Sequence, residues 1–495
     1  MKRQQEFTRR EFYRLGAGAA LALRPAFAAP PQRSGAEHTR KDLRKSQFFL
    51  DDTWIEETYR LERAWTRAEI VPEPVLRPEA PWEGMQLMMF GSVFRLKDEW
   101  RMYYSTYNRP APSLFCLAVS QDGLHWERPN LGLVEFRRSK ANNILWAPPP
   151  GERHDGPTVC HDPGDAQAPF KLMYYGFGEN RTPGEYVAFS KDGIVWRHHP
   201  TPVLTNTGDR TNLLPVRDHT GKFAAYLRHR DMMKLHRART VWRSHSEDFL
   251  RWTDPELILK PDLLDDPNTE LYGMSAFPYS GLYLGMLERW YGNPDVIEVQ
   301  LAWSHDGLEW LRPVNRRAFI APTLPWNRGW NSCANTAPIQ SGNQLWFYFG
   351  ARSAAHGREL PRSYGAIGLA TTTVDRFAAI QADFQEGLLL TKPMTWPGGE
   401  LVLNCTNARY LEGHPGAGGG SIAVEIRDEH NRPVEGFSGV QRAQFDAVSP
   451  APWQTGTRPV RWPGGRSLNS LTGRRIRLSF LMRDSRLYSF RAQSI

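Results

Sequence analysis

Short apolar runs that alternate with polar positions recur along most of this chain of 495 residues. Phe115-Cys-Leu-Ala-Val119, Tyr186-Val-Ala-Phe189 and Val299-Gln-Leu-Ala-Trp303 are the clearest, and each leads directly into a polar turn. Runs of this length predict strands, because side chains on an extended backbone alternate faces with a period of two. A hairpin pattern lies upstream of the turns: Gly91-Ser-Val-Phe94 before Trp100-Arg-Met-Tyr-Tyr104, Pro157-Thr-Val-Cys160 before Phe170-Lys-Leu-Met-Tyr-Tyr175, and Thr211-Asn-Leu-Leu214 before Lys222-Phe-Ala-Ala-Tyr226.

The turns themselves repeat. Ser120-Gln-Asp122-Gly123-Leu-His-Trp126, Ser190-Lys-Asp192-Gly193-Ile-Val-Trp196 and Ser304-His-Asp306-Gly307-Leu-Glu-Trp310 are three copies of S-x-D-G-x-x-W. Ser246-Glu-Asp248-Phe249-Leu-Arg-Trp252 and Thr373-Val-Asp375-Arg376-Phe377 are degenerate copies, giving successive spacings of 70, 56, 58 and 69 residues. A unit of that size is one elaborated four-stranded blade, with Asp and Gly in the tight turn between its third and fourth strands and Trp packed between neighbours. Five repeats predict five blades.

The repeat stops near Leu389, and shorter alternating runs follow, among them Gly420-Ser-Ile-Ala-Val-Glu-Ile426 and Arg475-Ile-Arg-Leu-Ser-Phe480. The reading is all-β: a five-bladed β-propeller over residues 76–388 followed by a C-terminal β-sandwich over 389–495. Residues 29–75 read as an irregular lead-in with a short helix near Thr53 to Thr66.

Composition narrows the classes. With 40% hydrophobic and 12% aromatic residues, 41 Gly, 38 Pro and 18 Trp, the chain is neither disordered, collagenous nor a coiled coil. The net charge of +9 suggests nucleic acid until the first 28 residues are set aside. Those hold six basic residues against two acidic ones, leaving a modest +5, and no nucleic-acid-binding motif is present. The same segment carries Thr8-Arg9-Arg10-Glu11-Phe12, a small apolar stretch from Leu15 to Leu23, and Ala26-Phe27-Ala28. This reads as a twin-arginine signal peptide over 1–28, handled by the twin-arginine export machinery and delivering a periplasmic or secreted protein. No other stretch is apolar enough to span a bilayer. The four cysteines have no paired short spacing, so neither a zinc knuckle nor a disulfide framework is indicated, and one disulfide stays open.

In a four-stranded blade the start of the first strand and the end of the second share one face, opposite the Asp-Gly turns. The first-strand starts read Trp82-Glu83-Gly84, Arg153-His154-Asp155, Gly208-Asp209-Arg210, Glu270-Leu271-Tyr272 and Trp330-Asn331-Ser332. The second-strand ends add Tyr107, Glu179, Arg228-His229-Arg230, Glu288-Arg289-Trp290 and Arg352, with His356 in the next loop. Carboxylates that converge on a central funnel shift each other's pKa apart, which is how one acid and one base coexist at a single pH. Glycoside hydrolysis needs such a pair, and Trp82, Tyr272, Trp290 and Trp330 offer faces for sugar rings. The catalytic candidates are therefore Glu83, Asp155, Asp209 and Glu270. Trp82, Arg153, His154, Arg210, Arg228, Tyr272, Glu288, Arg289, Trp290, Trp330, Asn331, Arg352 and His356 are candidates for binding an oligo- or polysaccharide. The dense basic stretch Arg228, Arg230, Lys234, Arg237, Arg239 and Arg243 overhangs the funnel and suits an acidic or sulfated saccharide. No cofactor is expected, and the central channel admits a structural calcium ion.

The turn motif resembles the Asp-box of sialidases, shortened by one residue before the Gly. Five blades, a following sandwich, an export signal and the run Ser120-Gln-Asp-Gly-Leu-His-Trp-Glu-Arg-Pro-Asn-Leu-Gly132 together resemble the bacterial glycoside hydrolases of families 32, 43 and 68. That resemblance implies an Asp nucleophile or base on the first blade, an Asp that steadies the transition state on the second and a Glu general acid on the third. These roles fall on Glu83, Asp155 and Asp209, with Glu270 as an alternative acid. The resemblance is to a glycosidase; a catalytically silent carbohydrate-binding propeller is the alternative.

Overall fold

A computed structural model of the protein describes residues 42–107, 111–229, 238–357, 363–406, 420–446 and 457–494. The expected signal peptide lies outside the described residues, as do Arg230, Lys234 and Arg237. Every regular element among the described residues is a strand or a short 3-10 turn. The chain is all-β.

Antiparallel blades follow one another, the fourth and fifth joined in one ten-stranded sheet by the parallel pair Ile297–Trp330. The first sets Leu87–Met88 and Val93–Arg95 against Trp100–Thr106, then Phe115–Ser120 and Ile144–Trp146. The second runs Glu152–His161, Phe170–Gly178, Arg181–Ser190 and Arg197–His198 from inside to outside. The third runs Asn212–Leu213, Phe223–Leu227, Val241–Ser246 and Glu256–Leu259. Thr269–Tyr279, Leu282–Tyr291 and Val296–Ser304 make the fourth, with Trp310–Leu311 and Ala318–Ile320 on its outer strand. Trp330–Cys333, Gln344–Arg352 and Gly365–Thr373 make the fifth, whose outermost strand, Glu69–Ile70, comes from near the other end of the described chain.

Hydrogen bonds between neighbouring blades run in a cycle. Ser92 Oγ donates to the Val159 carbonyl at 2.8 Å, linking the first blade to the second. Thr211 Oγ1 donates to Glu185 at 2.6 Å, linking the third to the second. Asn212 and Ser275 bond at 2.9 Å, and Ser275 Oγ donates to the Cys333 carbonyl at 3.2 Å. The Asn335 amide donates to the Gly91 carbonyl at 2.8 Å and returns to the start. Central strands such as Phe170–Gly178, buried from Phe170 to Gly176, pack on both faces, so they read as continuous rather than alternating apolar runs.

The repeated turn has the same bonding in four blades. Asp122, Asp192, Asp248 and Asp306 each accept from the two backbone amides two and three residues on, at 2.8–2.9 Å. The serine two residues before each Asp accepts from the amide that follows it. That following residue has φ near +75°, which suits Gly123, Gly193 and Gly307, and Phe249 takes the same left-handed position at φ 67°. Two of these turns seat on the preceding blade: Tyr348 Oη donates to the Gly123 carbonyl at 2.7 Å and Tyr103 Oη to that of Gly193 at 3.1 Å.

Residues 42–75 correct the sequence reading. The expected helix near Thr53 to Thr66 is absent, replaced by Ile55–Tyr59 and Leu61–Trp65, which are strands. They pair with Gly387–Thr391 and Ala378–Ala382 inside two packed sheets. Those sheets form the sandwich. Arg475–Arg483 supplies Ile476, Leu478, Phe480 and Met482 to its core, facing Leu401, Leu403 and Leu487. The helix fails because strands far along the chain, Ala378–Ala382 and Gly387–Thr391, claim these residues, a pairing no local propensity reveals.

Candidate functional site

The antiparallel register fixes the geometry predicted for the blades. Glu152 pairs with Gly178 and Thr269 with Tyr291, so first-strand starts lie beside second-strand ends. The candidate residues separate into a group gathered at this face and a group taken up by the framework.

The gathered group spans the third, fourth and fifth blades. Arg228, following Phe223–Leu227, is 2% exposed; its Nε donates to the Tyr272 carbonyl and its Nη1 to Asp209 Oδ1, both at 2.7 Å. Its guanidinium lies 4.0 Å from the Tyr272 ring centroid. Arg239 donates to Glu270 Oε2 from its backbone amide at 2.9 Å and its Nη1 at 2.8 Å, and lies 4.6 Å over Trp290. Arg352 lies 4.3 Å over Trp330, the residue opposite it in the register. His356 sits among the rings, 3.0 Å from Tyr272 Oη and with centroid distances of 4.8 Å to Trp290 and 5.0 Å to Trp330.

The charges act on one another. Burial alone raises the Asp209 pKa, but Arg228, a backbone hydrogen bond and Arg239 override it and hold the carboxyl below its ordinary value. The Asp209 side chain remains 47% exposed, so it is an ionised carboxylate open to solvent. Burial, and then Arg239, Arg352 and Arg228, push His356 down to about 4, leaving a neutral imidazole at pH 7. Arg228 Nη2 and Trp330 Nε1 are buried donors with no hydrogen-bond partner among the described residues, unused capacity within the cluster.

The second blade adds Asp155. Its register places Arg153 and Asp155 on one sheet face, across from Phe177 and Tyr175. A Cβ on Gly156 would stand 3.2 Å from the Asp209 carbonyl, so Asp155 and Asp209 occur where adjacent blades touch. Glu185, opposite Tyr175 on the next strand, is fully buried and pushed up to about 7 by that burial. Sequence reasoning missed it because it lies mid-strand rather than at a strand start.

Seven candidates belong to the framework instead. Glu83 is 0% exposed and does not begin a strand. It lies in the turn before Leu87–Met88, accepting from the Glu79 and Ala80 amides, from Tyr104 Oη at 2.6 Å and from Arg128 Nε at 2.8 Å. Neighbouring Trp82 donates to Asn143 at 2.8 Å. His154 points to the opposite sheet face from Asp155, 1% exposed and stacked on Trp146 at 4.6 Å, with burial lowering its pKa to about 3. Arg210 and Glu288 form a buried pair in the central channel, joined by Ser332, with Arg210 4.6 Å over Phe90. Arg289 pairs with Glu298 at 2.9 Å and Asn331 is buried against Asn327. All four cysteines are buried and none is in a disulfide, so the open disulfide does not form.

No family model and no curated protein matches the chain. Among solved structures, it is similar to a glycosyl hydrolase from Bacteroides ovatus (14% identity, 63% of this chain and 95% of that one, TM-score 0.46). It is also similar to a β-1,2-mannobiose phosphorylase from Listeria innocua (12%, 63% and 98%, 0.45) and to an N-acetylgalactosamine deacetylase from F. plautii (14%, 64% and 97%, 0.46). Those proteins differ in chemistry. By fold it is an all-β protein of propeller and sandwich.

Proposed function

We propose that the protein is an exported, glycoside hydrolase-like enzyme that acts on O-glycosidic bonds of an oligo- or polysaccharide in its funnel. Export by the twin-arginine route, a periplasmic or secreted location and kinship with families 32, 43 and 68 are part of this proposal. The observation that carries it is Asp209: an ionised, half-exposed carboxylate beside buried aromatic rings, with unsatisfied buried donors close by.

The geometry reassigns the roles implied by the resemblance. A carboxyl held below its ordinary pKa is a poor proton donor, so Asp209 serves as base or nucleophile rather than general acid. Glu270 is engaged twice by Arg239 and orients that arginine over Trp290. Glu83 is sealed in the framework. Asp155, half-buried on the adjoining blade, is the remaining candidate acid. The test is turnover of aryl glycosides and polysaccharides by the mature protein beside Asp155→Asn and Asp209→Asn. The expected result is that Asp155→Asn spares aryl glycosides with good leaving groups, which need little protonation, while Asp209→Asn abolishes all turnover. Full activity in both folded variants removes the acid/base assignment.

One observation favours the binding-only alternative: Asp209 and Glu270 both hydrogen-bond an arginine. Retained saccharide binding with no turnover in the parent protein establishes that reading.

A further inference from the structure

A second concavity opens on the funnel side of the first and second blades. Its volume is ≈ 860 Å³, within the range of ligand sites. Its rim is proline-rich, with Pro112 from the first blade and Pro148, Pro149 and Pro150 from the connection between the two. Proline fixes φ, so this wall is held open without a bound partner. Opposite it stand Tyr175 and Phe177, with ring centroids 5.7 Å apart and planes tilted by 33°. Tyr175 is buried and Phe177 is half-buried, so the Phe177 ring is the accessible face of the pair. Arg153, Glu152 and Glu179 supply polar groups at the edge.

The cleft shares a wall with the proposed site. Phe177 and Tyr175 lie across from Arg153 and Asp155 in the register, and the residue after Asp155 abuts the third blade at Asp209. A ligand reaching Asp155 and Asp209 therefore meets this aromatic wall as the next surface along the second blade. Apolar ring faces beside a few charged groups suit sugar rings, which present C–H faces with hydroxyls at their edges.

We infer that this cleft is an extended subsite for further units of the same saccharide chain, so that the protein prefers oligosaccharides to single glycosides. The inference rests on the proposed function. Phe177 is its platform, and the proline rim is its opposite wall.

The test uses manno-, xylo-, arabino- and galacturono-oligosaccharides of two to six units with the mature protein, Phe177→Ala and Asp209→Asn. Affinity by calorimetry and kcat/KM are read at each length. The parent is expected to gain on the order of tenfold from the shortest to the longest chain. Phe177→Ala is expected to flatten that ratio towards one, chiefly through KM. Thermal melting shows whether the variant is folded. If melting reveals that it is not, Glu179→Ala, at an exposed rim position, replaces it and is expected to reduce the same ratio. A parent with turnover dependent on Asp209 but no gain with length overturns the subsite and leaves the funnel reading standing. No binding of any chain overturns both.

Discussion

The two faces of the propeller are built from the same strands and obey different rules. On the turn face, four blades repeat one arrangement: an Asp accepts two amides and a Ser accepts a third. On the funnel face no two blades agree. The first presents a sealed Glu83, the second a half-buried Asp155, the third an exposed Asp209, the fourth a Glu270 clamped by Arg239, and the fifth Trp330 under Arg352. What repeats solves a problem common to every blade, the tight turn. What differs belongs to a site that exists once.

The largest effect separating the faces is expected in rate. Asp209→Asn lowers kcat by about 10²–10⁴, while Asp192→Ala leaves kcat unchanged; steady-state kinetics of both variants checks this. Next in size is the buried pair beneath the funnel. Glu288→Ala strands Arg210 in the channel and costs about 3–5 kcal/mol of unfolding free energy, measured by urea denaturation.

Acid comes third. His154 is pushed down to about 3, and His198 and His356 to about 4, each first by burial. The unfolded imidazoles take up protons below about pH 6.5 while the folded ones do not. Their contribution is full above that pH and is lost as pH falls towards 4. Buried His154 accounts for about 3–5 kcal/mol of that loss, and the partly exposed pair for less after solvent screening. Chemical denaturation at stepped pH measures it, with His154→Phe expected to flatten the profile.

Glu185 runs the other way. Its raised pKa favours folding below its ordinary value and loses that advantage as pH rises through about 7. Glu185→Gln is therefore expected to stabilise the protein by about 2–3 kcal/mol above pH 7 and to leave it unchanged in acid. The smallest effect returns to the turn face: Asp192→Ala, which removes the carboxylate that accepts from two backbone amides, costs about 1 kcal/mol, seen as a lower Tm.

Much of the fold was legible because its signals are local. Asp192 bonds amides two and three residues on, and Trp126 Nε1 donates to the Gly123 carbonyl three residues back, so a seven-residue string contains its own explanation. The strand-end rule also located Asp209, Arg228, Tyr272, Trp290, Trp330 and His356, which do cluster. It failed at Glu83, where the strand begins later than the motif suggested, and at His154, whose alternation turns it away from Asp155. Glu185 carried no signal, since a mid-strand Glu becomes informative only once burial is known.

The sequence by itself determined the strand alternation, the turn, the repeat and the change of pattern towards the C-terminal end, because each depends on neighbours within a few residues. Tertiary structure alone decided that Glu69–Ile70 completes the fifth blade and that residues 55–65 join the sandwich. It also decided which carboxylates face solvent and which face a guanidinium. Pairing and protonation depend on groups brought together from distant blades: Arg228 and Asp209 are near in the chain, but Arg210 meets Glu288 and Tyr272 meets His356 only when the ring closes.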